Sequence, residues 1–334
     1  MKKRIKTPLY KLNVLLIALS IFSILSCANT KMYKSVVPLK EPCDVYHSLE
    51  DFLYYINGKD KNGEEANVFI LGTLHIGDEK LYPLSEDIGD CYLNADRLVA
   101  ELSSSDYDNI PFFMNKKVNE SAKKEVLRIS NNGKSLEELL TDEQKEFLLQ
   151  FIPKVELARL YKYEPWVLQM NIEQIPVALA EMSNLDGIDY NLYKLAKSDN
   201  RYVEGLDTID LQLDIISNDS FDTQYKKLNL YINLLQEKLN EETTKLKDIY
   251  KAYVNYNYQE LYNLTFSSMN GEQISTKSKY YKELVLNRNI DWADKIASYI
   301  YEGGNTFIFV GVSHLLGDDS IFEVMLKKGY VKQP

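Results

Sequence analysis

Two histidines in this chain share one local setting. Gly72-Thr73-Leu74-His75 closes the apolar run NVFILG, and Gly311-Val312-Ser313-His314 closes TFIFVG more than two hundred residues later. Only three histidines occur in the chain, the third being His47 in DVYHSLEDFL. A glycine at a strand end lets the backbone turn sharply or be approached closely. A histidine three residues on can then point back over the sheet edge. Imidazoles combined with carboxylates suit a divalent transition metal with open positions. Such an ion polarises a carbonyl and lowers the pKa of a bound water, and a neighbouring carboxylate takes the proton.

Two carboxylates fall at comparable places: Glu101 after the run RLVA, and Asp207 after RYVEGL. His75, His314, Glu101 and Asp207 therefore make a metal-competent set. Each has a plainer alternative. A histidine after a strand is often only a hydrogen-bonded structural residue, Glu101 can pair with a basic side chain, and Asp207 can cap the next helix. The repeated G-x-x-H device favours a shared site. His47 lacks that setting and reads as structural.

NVFILG, RLVAEL, RYVEGL and TFIFVG read as four buried strands, being short, apolar and β-branched. Helices are expected over about 84–94, from Pro165 towards Met182 with a break at Pro176, over GIDYNLYKLAKSD, and after TFIFVG to about Lys328. Thr141 with Gln144 has the form of a capping box. DNIPFFMNKKVNES lacks clear periodicity and reads as a loop or short-helix region. A long helical insert, about 209–302, separates the third and fourth strands and holds nine tyrosines between Tyr225 and Tyr281. Those tyrosines either cover apolar surface or line a substrate groove. Strands alternating with helices imply an α/β fold with a central, largely parallel or mixed sheet of about four or more strands. In such sheets ligands bind beyond the carboxyl ends of the strands, where all four candidates fall.

Residues 1–27 carry a basic start and an apolar run of twelve residues, Val14 to Leu25, too short to span a bilayer and suited to an export signal. Ser26-Cys27 at its end resembles a lipobox, so Cys27 is the expected lipidation site. The mature chain is then lipid-anchored and extracytoplasmic, with an outer membrane or cell-surface destination favoured. An uncleaved anchor or an ordinary signal peptide are the other readings. Residues 28–44 read as a tether and 45–332 as the folded domain. The first 27 residues hold five basic and no acidic side chains, so their removal takes the net charge from −10 to −15. A chain this acidic repels phosphate backbones, which makes nucleic acid a poor partner. Cys43 and Cys91 could pair in an oxidising compartment, but no C-x-x-C offers a thiolate zinc site. H-E-x-x-H, G-x-S-x-G, the P-loop and G-x-G-x-x-G are all absent.

ILGTLHIGD, LVAEL, GIDYNLYKLAK, GLDTIDLQ, RNIDWADKI and FVGVSHLLG occur in the order found in the TraB/GumN family, which includes the animal Tiki metalloproteases. The resemblance runs from about Val45 to Tyr330. It implies that His75, His314, Glu101, Gln212 and Arg288 are active-site residues and that the chain is a metal-dependent peptidase acting on a peptide or protein substrate. Manganese or cobalt is the metal it favours, with zinc also compatible. The related clan contains haem-binding lipoproteins as well, so capture of haem or another small ligand is the alternative. The chain departs from the family at Gly205-Leu206-Asp207-Thr208, where glutamate is usual, and at Tyr256-Asn257-Tyr258, where a glycine-aspartate pair is common. For Arg288, two roles stand level: orienting Glu101 or Asp207 through a salt bridge, or stabilising an oxyanion.

Overall fold

The computed structural model describes residues 34–48, 51–266 and 281–332. The signal and Cys27 lie outside the described residues. Six strands form one mixed sheet in the order β1-β2-β3-β6-β4-β5. These are β1 (Asp44–His47), β2 (Leu53–Lys59), β3 (Glu65–Thr73), β4 (Arg97–Ala100), β5 (Val203–Gly205) and β6 (Gly304–Gly311). β3, β6, β4 and β5 run parallel, and β1 and β2 add antiparallel strands along the β3 side. This is the α/β fold with a mixed sheet expected from the sequence. All four strands read from the sequence are present, and β1 and β2 extend the sheet beyond them.

The strands alternate cleanly. Phe307 and Phe309 of β6, with Leu71 and Leu98, enter one core. Ile308 and Val310, with Ile70 and Val99, enter the other. Side chains of a strand point to opposite faces in turn, so both faces of this sheet are covered. The first face packs against a large helical lobe containing α1 (Glu86–Asn94), α2 (Ser104–Ser130) and α8 (Ile188–Ser198). Short helices α3 (Leu136–Leu139), α4 (Asp142–Leu148), α5 (Lys154–Leu160), α6 (Pro165–Ile172) and α7 (Gln174–Leu179) fill that lobe, together with α9 (Ile209–Ser217), α10 (Phe221–Val254) and α11 (Tyr258–Phe266). The second face packs against α12 (Asn287–Glu302) and α13 (Ile321–Lys327). In α12, Trp292, Ala293, Ile296, Ala297 and Ile300 are all fully buried, a stripe at helical spacing.

Several local expectations hold. Thr141 and Gln144 make a reciprocal capping box at the start of α4. Pro165 sits in the first turn of α6, while the interruption expected at Pro176 falls earlier, at Glu173, and Pro176 lies inside α7. Others are corrected. DNIPFFMNKKVNES is not a loop but most of the 27-residue helix α2. A capping box between Ser103 and Asp106 nucleates it, and Pro111 is accommodated inside. The helix expected directly after TFIFVG is instead a 3-10 turn, Val312–Leu315, followed by α13. Thr208, not Asp207, caps α9. Cys43 and Cys91 are both buried and free. Among the described residues no helix is long and apolar enough to cross a membrane. Of the stretch read as a tether, residues 34–44, Val36 and Val37 are held by the Tyr330 hydroxyl at 2.8 and 3.1 Å.

Candidate functional site

The two G-x-x-H segments lie side by side because β3 and β6 are parallel neighbours. Gly72 pairs with Val310 and Thr73 with Gly311, so both strands end at one level. The glycines let the segments interlock. A methyl built on Gly72 would stand 2.9 Å from side-chain atoms of both Val312 and Leu315. One built on Gly311 would stand 2.9 Å from His75 Nε2 and 3.2 Å from Glu101 Oε1. Each motif's glycine thus makes room for the other motif.

Glu101 lies one residue beyond β4, the strand on the other side of β6, and is the hub of the site. Its Oε1 accepts from the Gly311 backbone N–H at 2.9 Å and faces His75 Nε2 at 3.6 Å and His314 Nε2 at 4.0 Å. Its Oε2 accepts from Gln212 Nε2 at 3.2 Å and from Arg288 Nη2. Burial works against the Glu101 charge. The Arg288 guanidinium, then His75, His314 and the Gly311 N–H, outweigh it and hold the carboxyl below its ordinary range.

The histidines sit on opposite sides of this hub. On the helical-lobe side, His75 Nδ1 lies 3.0 Å from Asp189 Oδ1 of α8, close but poorly aligned for a hydrogen bond. Burial alone would depress the imidazole. Asp189 and Glu101 overcome it and raise its pKa to about 9, with Arg288 opposing. On the α12 side, His314 Nδ1 donates to Asn289 Oδ1 at 2.6 Å, and Nε2 accepts from Arg288 Nη1 at 3.2 Å. That pattern fixes a neutral ring protonated on Nδ1. Burial first and the Arg288 charge second push the His314 pKa down to about 3. Trp292 packs against the ring, centroids 4.3 Å apart.

Arg288 organises the second side. Its Nε donates to Asp207 Oδ2 at 2.6 Å and Nη1 to the Leu284 carbonyl at 3.0 Å. Asp207 Oδ1 in turn accepts from Trp292 Nε1 at 2.9 Å. Four of the five guanidinium protons are accounted for in this way, so Arg288 performs the orienting role for both Glu101 and Asp207. Asp207 spends both carboxylate oxygens on Arg288 and Trp292. A short aspartate suffices for that bridge.

The site thus brings together His75, His314, Glu101, Gln212 and Arg288, with Asp207 one bond behind. His47 is remote, on exposed β1 beside Tyr54. Asp189, Asn289 and Trp292 were not singled out from the sequence. The signal was there, since each lies inside an ordered motif, GIDYNLYKLAK or RNIDWADKI. The insert also reaches the site. Tyr253 of α10 donates to the Gly72 carbonyl at 2.6 Å, Tyr250 to Asp78 at 2.7 Å, and Gly317 N–H donates to the Tyr258 hydroxyl at 2.8 Å. These tyrosines dock the insert onto the end of β3 and onto the loops after both histidines.

Access is uneven. The His75 side chain is 15% exposed and that of His314 2%. A cleft of about 300 Å³ reaches Asp207 and Arg288 but touches neither histidine nor Glu101. A reactant would therefore meet the site from the His75 side.

Whether these donors fit a divalent ion can be judged from their partners. His314 has both ring nitrogens engaged, Asp207 has both oxygens engaged, and a guanidinium already lies against Glu101 and His314 Nε2. A cation placed there would face that fixed positive charge. Among the described residues no group of three or more His, Cys, Asp or Glu side chains is arranged to hold an ion. The set as it stands does not fit.

A family model described as TraB/PrgY/gumN matches residues 57–334. An uncharacterized protein of Treponema pallidum (strain Nichols) is 26% identical over 273 residues, covering 80% of this chain and 79% of that protein. No solved structure matches.

Proposed function

The chain belongs to the TraB/PrgY/gumN family, and from that premise we propose that it is a hydrolase of peptide bonds worked by His75 and Glu101. One observation carries the reading: two imidazoles converge on a single carboxylate while their surroundings push their pKa values in opposite directions. Of the groups gathered there, only His75 carries a proton to give at neutral pH, and Glu101, held as a carboxylate, is the group left to receive one.

His75, charged at neutral pH, is the acid. Its Nε2–H and Glu101 Oε1, 3.6 Å apart, can both bond one oxygen placed beside them. Water held by Glu101 adds its oxygen to the carbonyl carbon and passes a proton to the carboxylate. His75 gives its proton to the departing amine as the C–N bond breaks, and Glu101 then returns the proton to His75. His314 stays neutral throughout and, with Arg288, fixes the position of Glu101.

Supporting a second reading, His75 Nε2 and His314 Nε2 both lie within 4.0 Å of Glu101 Oε1. A manganese, cobalt or zinc ion could draw them together if Arg288 released His314. Capture of haem or another small ligand would use the accessible His75. Export and lipidation at Cys27 also belong to the proposal, supported by residues 1–27 alone. A Cys27→Ala chain that still takes up labelled fatty acid would contradict that part.

The test is cleavage of a fluorogenic peptide pool by the full chain in detergent. The wild type and His47→Ala should cleave, and His75→Ala and Glu101→Gln should fall at least about 100-fold. Retained cleavage in His75→Ala overturns the assignment. A rate that chelator abolishes and manganese restores selects the metal reading, and a haemin Soret shift lost in His75→Ala selects the binding one.

A further inference from the structure

Thr73 lies two residues before His75, is 1% exposed, and its hydroxyl has no hydrogen-bond partner. It pairs with Gly311 in the β3–β6 register. Residues paired in this way direct their side chains to the same sheet face. Leu71 and Phe309, the pair two residues earlier, both enter the helical-lobe core. Thr73 therefore leaves the sheet on the face where a methyl on Gly311 would meet His75 Nε2 and Glu101 Oε1. Asp189 and Tyr107, whose hydroxyl lies 3.5 Å from Asp189 Oδ2, stand on that same side.

A buried hydroxyl that gives up water and gains no partner weakens the fold. Valine would fill the same strand position with nearly the same shape and no such cost. A hydroxyl kept there at the edge of a catalytic set is a donor held for something that enters the site.

We propose that Thr73 is a further catalytic residue, whose hydroxyl donates to the carbonyl oxygen of the bond being hydrolysed. This rests on the hydrolase reading. As water adds to the carbonyl carbon, the oxygen takes up negative charge, and a fixed donor is worth more to that oxygen than to the starting carbonyl. The Thr73 proton stays on its own oxygen and no bond forms to the side chain. His75 Nε2–H faces the reactant from the same side. The substrate class is therefore a neutral acyl compound presenting its carbonyl oxygen to the Thr73 hydroxyl and its leaving nitrogen to the His75 imidazolium.

The test compares Thr73→Val and Thr73→Ser in the full chain, by thermal unfolding and by cleavage of a fluorogenic peptide drawn from the pool above. Thr73→Val should lower kcat by about 100-fold, the scale of a lost oxyanion donor, with KM little changed. The same variant should raise Tm by about 2 °C, because the hydroxyl it removes has no partner in the free protein. Thr73→Ser, which keeps the hydroxyl, should retain most of the rate. A fall in Tm for Thr73→Val shows a structural partner and overturns the proposal, as does an unchanged kcat. If the wild type cleaves nothing, the hydrolase reading fails separately. The unfolding result then still decides Thr73: a rise keeps its hydroxyl assigned to a ligand, and a fall overturns that too.

Discussion

Gly311 and His75 face each other across two parallel strands so closely that a single methyl on the glycine would sit 2.9 Å from the imidazole Nε2. The glycine itself has an ordinary backbone, φ −51° and ψ 130°, which any residue can adopt. Its side-chain requirement is therefore purely one of space. The second motif keeps its glycine so that the first motif's histidine can reach Glu101.

Gly311→Ala should consequently leave the strand pairing intact and displace His75. Overpacking of this kind costs about 1–3 kcal/mol, while a misplacement near 1 Å costs about 100-fold in rate. Unfolding and peptide cleavage measured on the same sample check this. Full activity in Gly311→Ala would contradict the close approach.

Stability should depend on pH in a way that names both histidines. His75 has its pKa raised from 6.5 to about 9 in the fold. Its contribution is fully present below about pH 6.5 and is lost as pH rises through 9. His314 is the reverse case, lowered from 6.5 to about 3. The unfolded chain takes up a proton there that the folded chain refuses, so stability falls as pH drops below 6.5. Glu101, held below its ordinary range, adds to the acid-side loss. Urea midpoints from pH 5 to 9 should peak near pH 6.5, and His75→Gln should remove the alkaline decline. A midpoint still climbing at pH 9 in the wild type would contradict the His75 assignment.

Removing Arg288 tests what holds the carboxylates. Arg288→Met leaves Glu101 and Asp207 buried with their shared cation gone. Breaking a buried pair from one side costs about 3–5 kcal/mol, and the His314 pKa should rise once the neighbouring charge is lost. Denaturant unfolding measures the first and histidine titration the second. A loss under about 1 kcal/mol would show that the network bears little of the fold.

Much of this arrangement is legible in the amino-acid sequence. NVFILG and TFIFVG are continuous apolar runs, and two such strands ending in the same motif give a reason for them to lie together. Glu101 follows from its place at the end of a strand, and Arg288 from the resemblance. What could not be read was the partner of each histidine. Asp189 and Asn289 come from α8 and α12, brought over opposite sheet faces by packing that no local spacing encodes. Asp207 reads as a ligand in the sequence because its type and position suit one. Only the fold shows both its oxygens turned to Arg288 and Trp292. The helix α2 is hard to read because DNIPFFMNKKVNES lacks clear periodicity, whereas the Ser103–Asp106 capping box and burial of Tyr107, Ile110 and Met114 argue for it in the fold.

The most direct measurement is long-range proton–nitrogen NMR of the chain labelled with ¹⁵N histidine, which has only three rings to assign. At pH 7 the account predicts a fully protonated His75 imidazolium beside a neutral His314 carrying its proton on Nδ1. It also predicts that neither ring titrates between pH 5 and 8. Two rings besides His47 that both titrate near pH 6.5 would mean that Glu101, Asp189 and Arg288 do not hold them as described, and would contradict the site.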